Sequence, residues 1–123
     1  AGNEDAEEKM KSLPRNLTKL HLEDCENIND EDLKYLPPSL TQLELRSNVN
    51  INGRGFKYLP STLQRLDLYG INLTDEGMKN LKNIKNINYL EITSNITEEG
   101  LKYLPSKINY LKISNQKLPL ESY

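Results

Sequence analysis

Tryptophan is absent from this 123-residue chain, and cysteine, histidine, valine and phenylalanine each occur once. A lone cysteine excludes an intramolecular disulfide and a four-cysteine zinc site. No apolar run approaches the roughly 18 residues of a membrane span. Neither sign of charge dominates: 16 Lys and Arg against 18 Asp and Glu give a net charge of −2, which excludes a generic nucleic-acid patch or a basic membrane-surface protein. The opening stretch, Ala1-Gly2-Asn3-Glu4-Asp5-Ala6-Glu7-Glu8, has no apolar secretory core. The expectation is a cytoplasmic protein, or one whose targeting segment has been removed. What is abundant is leucine and isoleucine, at 21 and 9 residues. With Val49 and Phe56 they make 32 of 123 residues, above the roughly 20% below which a chain stays disordered. A core is available, and it is almost wholly Leu and Ile.

Those residues are periodic. Leu-x-x-Leu-x-Leu occurs at Leu17-Leu20-Leu22, Leu40-Leu43-Leu45 and Leu63-Leu66-Leu68. It returns with isoleucine at Ile87-Leu90-Ile92 and Ile108-Leu111-Ile113. Ile28, Ile51, Leu73 and Ile96 follow in turn, each directly before Asn29, Asn52, Thr74 or Thr97. Asn and Thr accept hydrogen bonds from unpaired N–H groups in a first helical turn, and the flanking apolar residues can close a hydrophobic staple. Leu33, Phe56, Met78 and Leu101 come four residues later, then Leu36, Leu59, Leu81 and Leu104. Three of these segments end at Leu-Pro, where a ring without an N–H stops a helix. Each unit therefore reads as strand, turn, short helix and return. One such unit cannot bury its Leu face alone, whereas stacked neighbours can.

This pattern resembles the leucine-rich repeat family over nearly the whole chain. The unit from Leu17 through Cys25 to Leu33 looks like the cysteine-containing subtype of F-box substrate adaptors. The Leu-Pro-x-x-Leu junctions resemble those of bacterial effector ubiquitin ligases. The Cys25 column continues as Asn48, Ile71, Asn95 and Gln116, which is mixed for that subtype. The resemblance implies an α/β right-handed solenoid, a short horseshoe with a parallel sheet on its concave face and short helices on its convex face. The expected organisation is an N-terminal helical half-repeat or cap over 1–16, with Asn3 as its helix cap. Four full units follow over 17–39, 40–62, 63–86 and 87–107, then a partial fifth over 108–123, where only Lys117-Leu118-Pro119-Leu120 follows the strand. Its C-terminal edge is a candidate for self-association.

Chemistry is sparse. A Cys–His pair from Cys25 and His21 would need the thiol beside the imidazole, but Cys25 falls in the turn, and a buried thiol and a surface imidazole explain both. Glu31, Asp32, Glu76, Glu98 and Glu99 sit in first helical turns, where the helix dipole accounts for them. Gly55, Gly77 and Gly100 recur at one repeat position and read as tight packing. Triplets at Asn16, Asn72 and Asn95 have the form of glycosylation acceptors, and structural recurrence of Asn and Thr explains them. No metal site, cofactor or catalytic residue is expected, and no enzyme.

The remaining candidates face outward from the strands, which a parallel sheet aligns in columns. One column reads Lys19, Gln42, Arg65, Tyr89, Tyr110; the next His21, Glu44, Asp67, Glu91, Lys112; the third Glu23, Arg46, Tyr69, Thr93, Ser114. Glu44, Asp67 and Glu91 set three carboxylates side by side. Arg65, Tyr69, Tyr89 and Tyr110 are residue types enriched in binding hot spots. The expectation is a protein partner with a basic or mixed segment docking on the concave face, with no nucleic acid or membrane. The module would be a recognition arm of an adaptor, or of a bacterial effector exported to a host cytosol. The alternatives are a self-assembling scaffold or a non-catalytic part of a larger enzyme such as a ubiquitin ligase. Tyr35, Tyr58 and Tyr103 share a helical column and read as outer-face packing.

Overall fold

The computed structural model describes residues 2–25, 27–94 and 96–114. Strands β1 (Lys19–Glu23), β2 (Gln42–Arg46), β3 (Arg65–Tyr69), β4 (Tyr89–Thr93) and β5 (Tyr110–Ser114) form one parallel sheet in chain order. The register matches the repeat: Leu20, Leu43, Leu66, Leu90 and Leu111 are successive partners. Their side chains and those two residues on point to one side, as strand alternation requires. Leu43, Leu45, Leu66, Leu68, Leu90 and Ile92 are buried. Burying a leucine-sized side chain is worth about 1.5–3 kcal/mol, so the three central strands supply much of the driving force.

The returns between strands are short helices, as the repeat implies, and their type varies from unit to unit. The first two are single 3-10 segments, at Asp30–Tyr35 and Arg54–Tyr58; the third joins α2 (Asp75–Met78) to a 3-10 segment at Lys79–Asn83, and the fourth is α3 (Glu98–Leu101). The apolar spacing is compatible with the 3-10 turns. Leu33/Leu36, Phe56/Leu59 and Met78/Leu81 lie three apart and are buried, and three residues per turn puts such pairs on one side. The bonds Leu36 N–H to Leu33 O (3.2 Å) and Leu59 N–H to Phe56 O (3.1 Å) close those turns, and Pro37 and Pro60 follow.

Three of the four caps form as read. Asn29 accepts from Asp32 N–H (3.3 Å) while Asp32 accepts from Asn29 N–H (3.0 Å), a reciprocal capping box. Thr74 accepts from Gly77 N–H (3.0 Å) and Thr97 from Glu99 N–H (3.3 Å). Asn52 does not hold the cap position, because Gly53 with φ +103° occupies it without a side-chain bond. Asn52 Oδ1 instead accepts from Arg54 N–H at 2.9 Å.

At the N-terminal end, α1 (Gly2–Lys11) packs against the Asp30–Tyr35 segment, burying Ala6 and Met10. Asn3 lies within α1 and not ahead of it. Cys25 is only partly buried, with its Sγ–H directed to the Glu23 carbonyl at 3.4 Å, which corrects the fully buried thiol. The expectations placed on Asn95, Gln116 and 117–120 lie outside the described residues.

Candidate protein-binding face

The sheet face turned away from the core carries all seven proposed contact residues, and the register sets them in three columns. Arg65 pairs with Tyr89 and Tyr89 with Tyr110; Glu44, Asp67 and Glu91 are successive partners; Arg46 pairs with Tyr69. The first column is a continuous stack. The Arg65 guanidinium lies 4.0 Å over the Tyr89 ring, and Tyr89 and Tyr110 stack with centroids 4.3 Å apart and planes 6° from parallel. Cation–π and stacking contacts of this kind contribute about 0.5–1.5 kcal/mol each. In the third column Arg46 lies 4.7 Å over Tyr69. Tyr69 and Tyr110 remain 47% and 44% exposed, which leaves ring surface open to a partner.

The three carboxylates are not the bare repulsive row that sequence order suggests. Each finds a partner two residues along its own strand. Glu44 lies 3.6 Å from Arg46 Nε, Asp67 Oδ2 accepts from Arg65 Nε at 3.2 Å, and Glu91 accepts from the Tyr89 hydroxyl at 3.0 Å. His21 approaches Glu44 at 3.8 Å and Glu23 at 3.2 Å. Residues two apart share a strand face, so the columns conceal stabilising contacts along each strand, ionic at Glu44 and Asp67 and a neutral hydroxyl at Glu91.

Asp67 is the most constrained of the three. Burial pushes its carboxyl above the usual range, opposed by the Arg65 bond and charge, with Glu91 and Glu44 adding to the rise. Its Oδ1 is buried without a hydrogen-bond donor among the described residues. Such an oxygen costs about 1–3 kcal/mol if left unmet. Beside it opens a shallow hollow of about 340 Å³, lined in part by Lys19, His21, Gln42, Glu44, Arg65 and Asp67. Burial also holds the Tyr89 hydroxyl up, to about 12, helped by its bond to Glu91 and opposed by Arg65.

Comparison with known proteins bears on this architecture. The family described as Leucine Rich repeat matches residues 14–36. The C-terminal domain of tropomodulin from Caenorhabditis elegans superposes with a TM-score of 0.65 at 14% identity, covering 98% of this chain and 86% of that one. The fold is a leucine-rich repeat solenoid. Leiomodin-1 actin-binding site 2 is similar too, with a TM-score of 0.62 at 12% identity over 91% of this chain and 79% of its own. At these identities the likeness bears on the fold alone. No curated protein sequence matches the chain.

Within this solenoid, several ties between units carry no signal in the leucine pattern. Asp30 accepts from the N–H groups of Asn52 (2.8 Å), Gly53 (3.0 Å) and Gly55 (2.7 Å), all in the following unit. Asp75 accepts from Thr97 N–H (2.8 Å) and Thr97 Oγ1 (2.5 Å). Asn48, fully buried, donates to Leu22 O (2.8 Å) and accepts from Cys25 N–H (3.0 Å). The outer tyrosines do more than pack. Tyr35 donates to Glu7 (2.5 Å) and Tyr58 to Glu31 (2.7 Å), each one unit back.

No helix among the described residues is long and apolar enough to cross a membrane.

Proposed function

We propose that this solenoid is a protein-interaction module whose partner docks on the open sheet face through Arg65, Tyr69, Tyr89 and Tyr110. The observation that carries the reading is the Arg65–Tyr89–Tyr110 stack. It is a preformed platform whose end ring, Tyr110, is 44% exposed, so a partner meets aromatic surface with little rotamer freedom left to lose. Glu44, Asp67 and Glu91 run beside the platform and favour a partner segment with Lys, Arg or free N–H groups.

In a longer protein the module would act as the recognition arm of an adaptor or an exported effector, and it needs no catalytic group of its own. A second reading, self-association through the last strand, draws on Leu111, which is 40% exposed in β5 although its column partners in β2, β3 and β4 are buried. Concentration-dependent mass separates the two: a monomer at all concentrations removes the second.

The test of the first reading is the double substitution Tyr89→Ala with Tyr110→Ala. Immobilised wild type and variant are compared for proteins retained from a cell extract, and the retained partner is then titrated against both. Purified actin is included as one probe, since one structural neighbour is an actin-binding site. We expect affinity to fall at least tenfold, about 1.4 kcal/mol, with the circular dichroism spectrum unchanged. Equal affinity with an intact fold removes this face from consideration.

A further inference from the structure

Charge is unevenly divided along the solenoid. Residues 1–78 hold 9 Lys and Arg against 14 Asp and Glu, a net of −5. Residues 79–123 hold 7 lysines against 4 glutamates, a net of +3, and these sum to the chain's −2. The four arginines, Arg15, Arg46, Arg54 and Arg65, all lie in the acidic part, so the basic part is basic through lysine alone.

Four of those lysines converge. Lys82 and Lys85 lie on the return into β4, and Lys102 and Lys107 on the return into β5. All four are exposed, and they line one groove of about 350 Å³. No lining residue belongs to a strand, so the groove is separate from the sheet face. Its floor is apolar: Ile84 is buried and Leu104 partly so. Lys102 is drawn to Glu99 at 3.0 Å on the outer side of α3, and Lys79 nearby to Glu76 at 3.0 Å. None of the described ion pairs engages Lys82, Lys85 or Lys107. Three like charges around one hollow repel, and nothing in the packing of the units requires them there.

We infer that this groove is a second docking site, one that takes an acidic protein segment with apolar side chains between its carboxylates. Two features select that occupant. Lysine presents a mobile point charge without the rigid fork that grips phosphate in two places, so scattered carboxylates suit it as well as a phosphate cluster does. The Ile84 and Leu104 floor rewards an apolar side chain, which inorganic phosphate or a lipid headgroup lacks. The groove also gives the module two faces of opposite preference, one for basic and one for acidic chain, on different sides of the same stack.

The probe is a fluorescein-labelled peptide of glutamates interrupted by leucines, titrated against the full chain by anisotropy at low and at physiological salt. We expect saturable binding that weakens with salt. Replacing its leucines with serine should lower affinity several-fold. The triple reversal Lys82→Glu, Lys85→Glu, Lys107→Glu should lower it at least tenfold. The neutral set Lys82→Gln, Lys85→Gln, Lys107→Gln serves if the reversal perturbs the circular dichroism spectrum, and it should give a smaller loss in the same direction. Tyr89→Ala with Tyr110→Ala should leave this binding unchanged, which separates the groove from the sheet face. Undiminished binding to the lysine variants, or equal binding of the serine peptide, overturns the proposal. So does lysine-dependent binding to phosphatidylserine vesicles with none to the peptide, which would make the patch a membrane contact.

Discussion

The junction between the first and second units and the junction between the second and third solve one problem by different means. Both must satisfy backbone N–H groups where a new return begins. At the first, the Asp30 carboxylate takes three of them from Asn52, Gly53 and Gly55. At the second, the equivalent position is Gly53, which has no side chain. There the Asn52 carbonyl accepts from Thr74 N–H at 3.1 Å, and Asn80 Nδ2 donates to Gly53 O at 3.2 Å. The third junction returns to a carboxylate, Asp75, on Thr97. Charge-assisted bonds contribute about 1.5–3 kcal/mol each against about 1 for neutral ones. All three junctions are closely packed, and the first and third add a carboxylate tie that the second lacks.

The glycines show what the close packing demands. A Cβ on Gly55 would sit 2.1 Å from Asp30 O, and one on Gly77 2.2 Å from Asn52 O. In both cases the obstacle is backbone, which cannot swing aside. Gly55→Ala should therefore give the largest loss of stability, about 3 kcal/mol or more, read by urea unfolding. Gly53→Asp sharpens the comparison. It would restore the carboxylate present at Asp30 and Asp75, yet Gly53 has φ +103° and its Cβ would meet Gly77 Cα at 2.8 Å. We expect that change to destabilise as well, and a stabilised Gly53→Asp chain would show that the second junction merely lacks a carboxylate.

Next in size comes the contrast between the two acids. Asp30→Ala strands three partly buried N–H groups and should lose about 2–4 kcal/mol. Asp75→Ala strands the exposed Thr97 N–H and should lose about 1 kcal/mol. Equal losses in paired unfolding curves would remove the distinction between the junctions.

The smallest effect is a titration. Tyr35 is held up to about 12, first by its bond to Glu7, and Tyr89 to about 12, first by burial. Both lie above the ordinary value near 10, so the fold favours the protonated phenols. Their contribution is complete below about 10 and lost as the pH rises through about 12. Absorbance titration of tyrosinate should show late ionisations, and Tyr35→Phe and Tyr89→Phe should each remove one. A Tyr89→Phe chain with an unchanged late step would mean that Tyr89 is not the buried, Glu91-bonded phenol described.

Much of this architecture was legible in advance because the leucine period dictates it. Once Leu43, Leu66 and Leu90 share a buried row, the register of β2, β3 and β4 follows, and so do the outward columns. The returns were less legible. The same Leu33/Leu36 and Phe56/Leu59 spacing fits an α-turn or a 3-10 turn, and the difference lies in backbone bonds that sequence does not display. Asp30 and Asp75 were hidden for another reason. They sit in first turns, where a helix dipole explains an acid, and their true partners lie a whole unit away. At the candidate face, sequence gave the residue types and the columns. It could not give the pairing of Glu44 with Arg46, Asp67 with Arg65 and Glu91 with Tyr89, because that depends on rotamers chosen along the strand.

The repeating units pile up in register as parallel neighbours. Backbone nuclear Overhauser contacts in an isotopically labelled chain test this stacking most directly, read between β2, β3 and β4. Parallel-ladder contacts should pair Glu44 with Asp67 and Asp67 with Glu91. Their absence, a shift by one residue or an antiparallel pattern would contradict it.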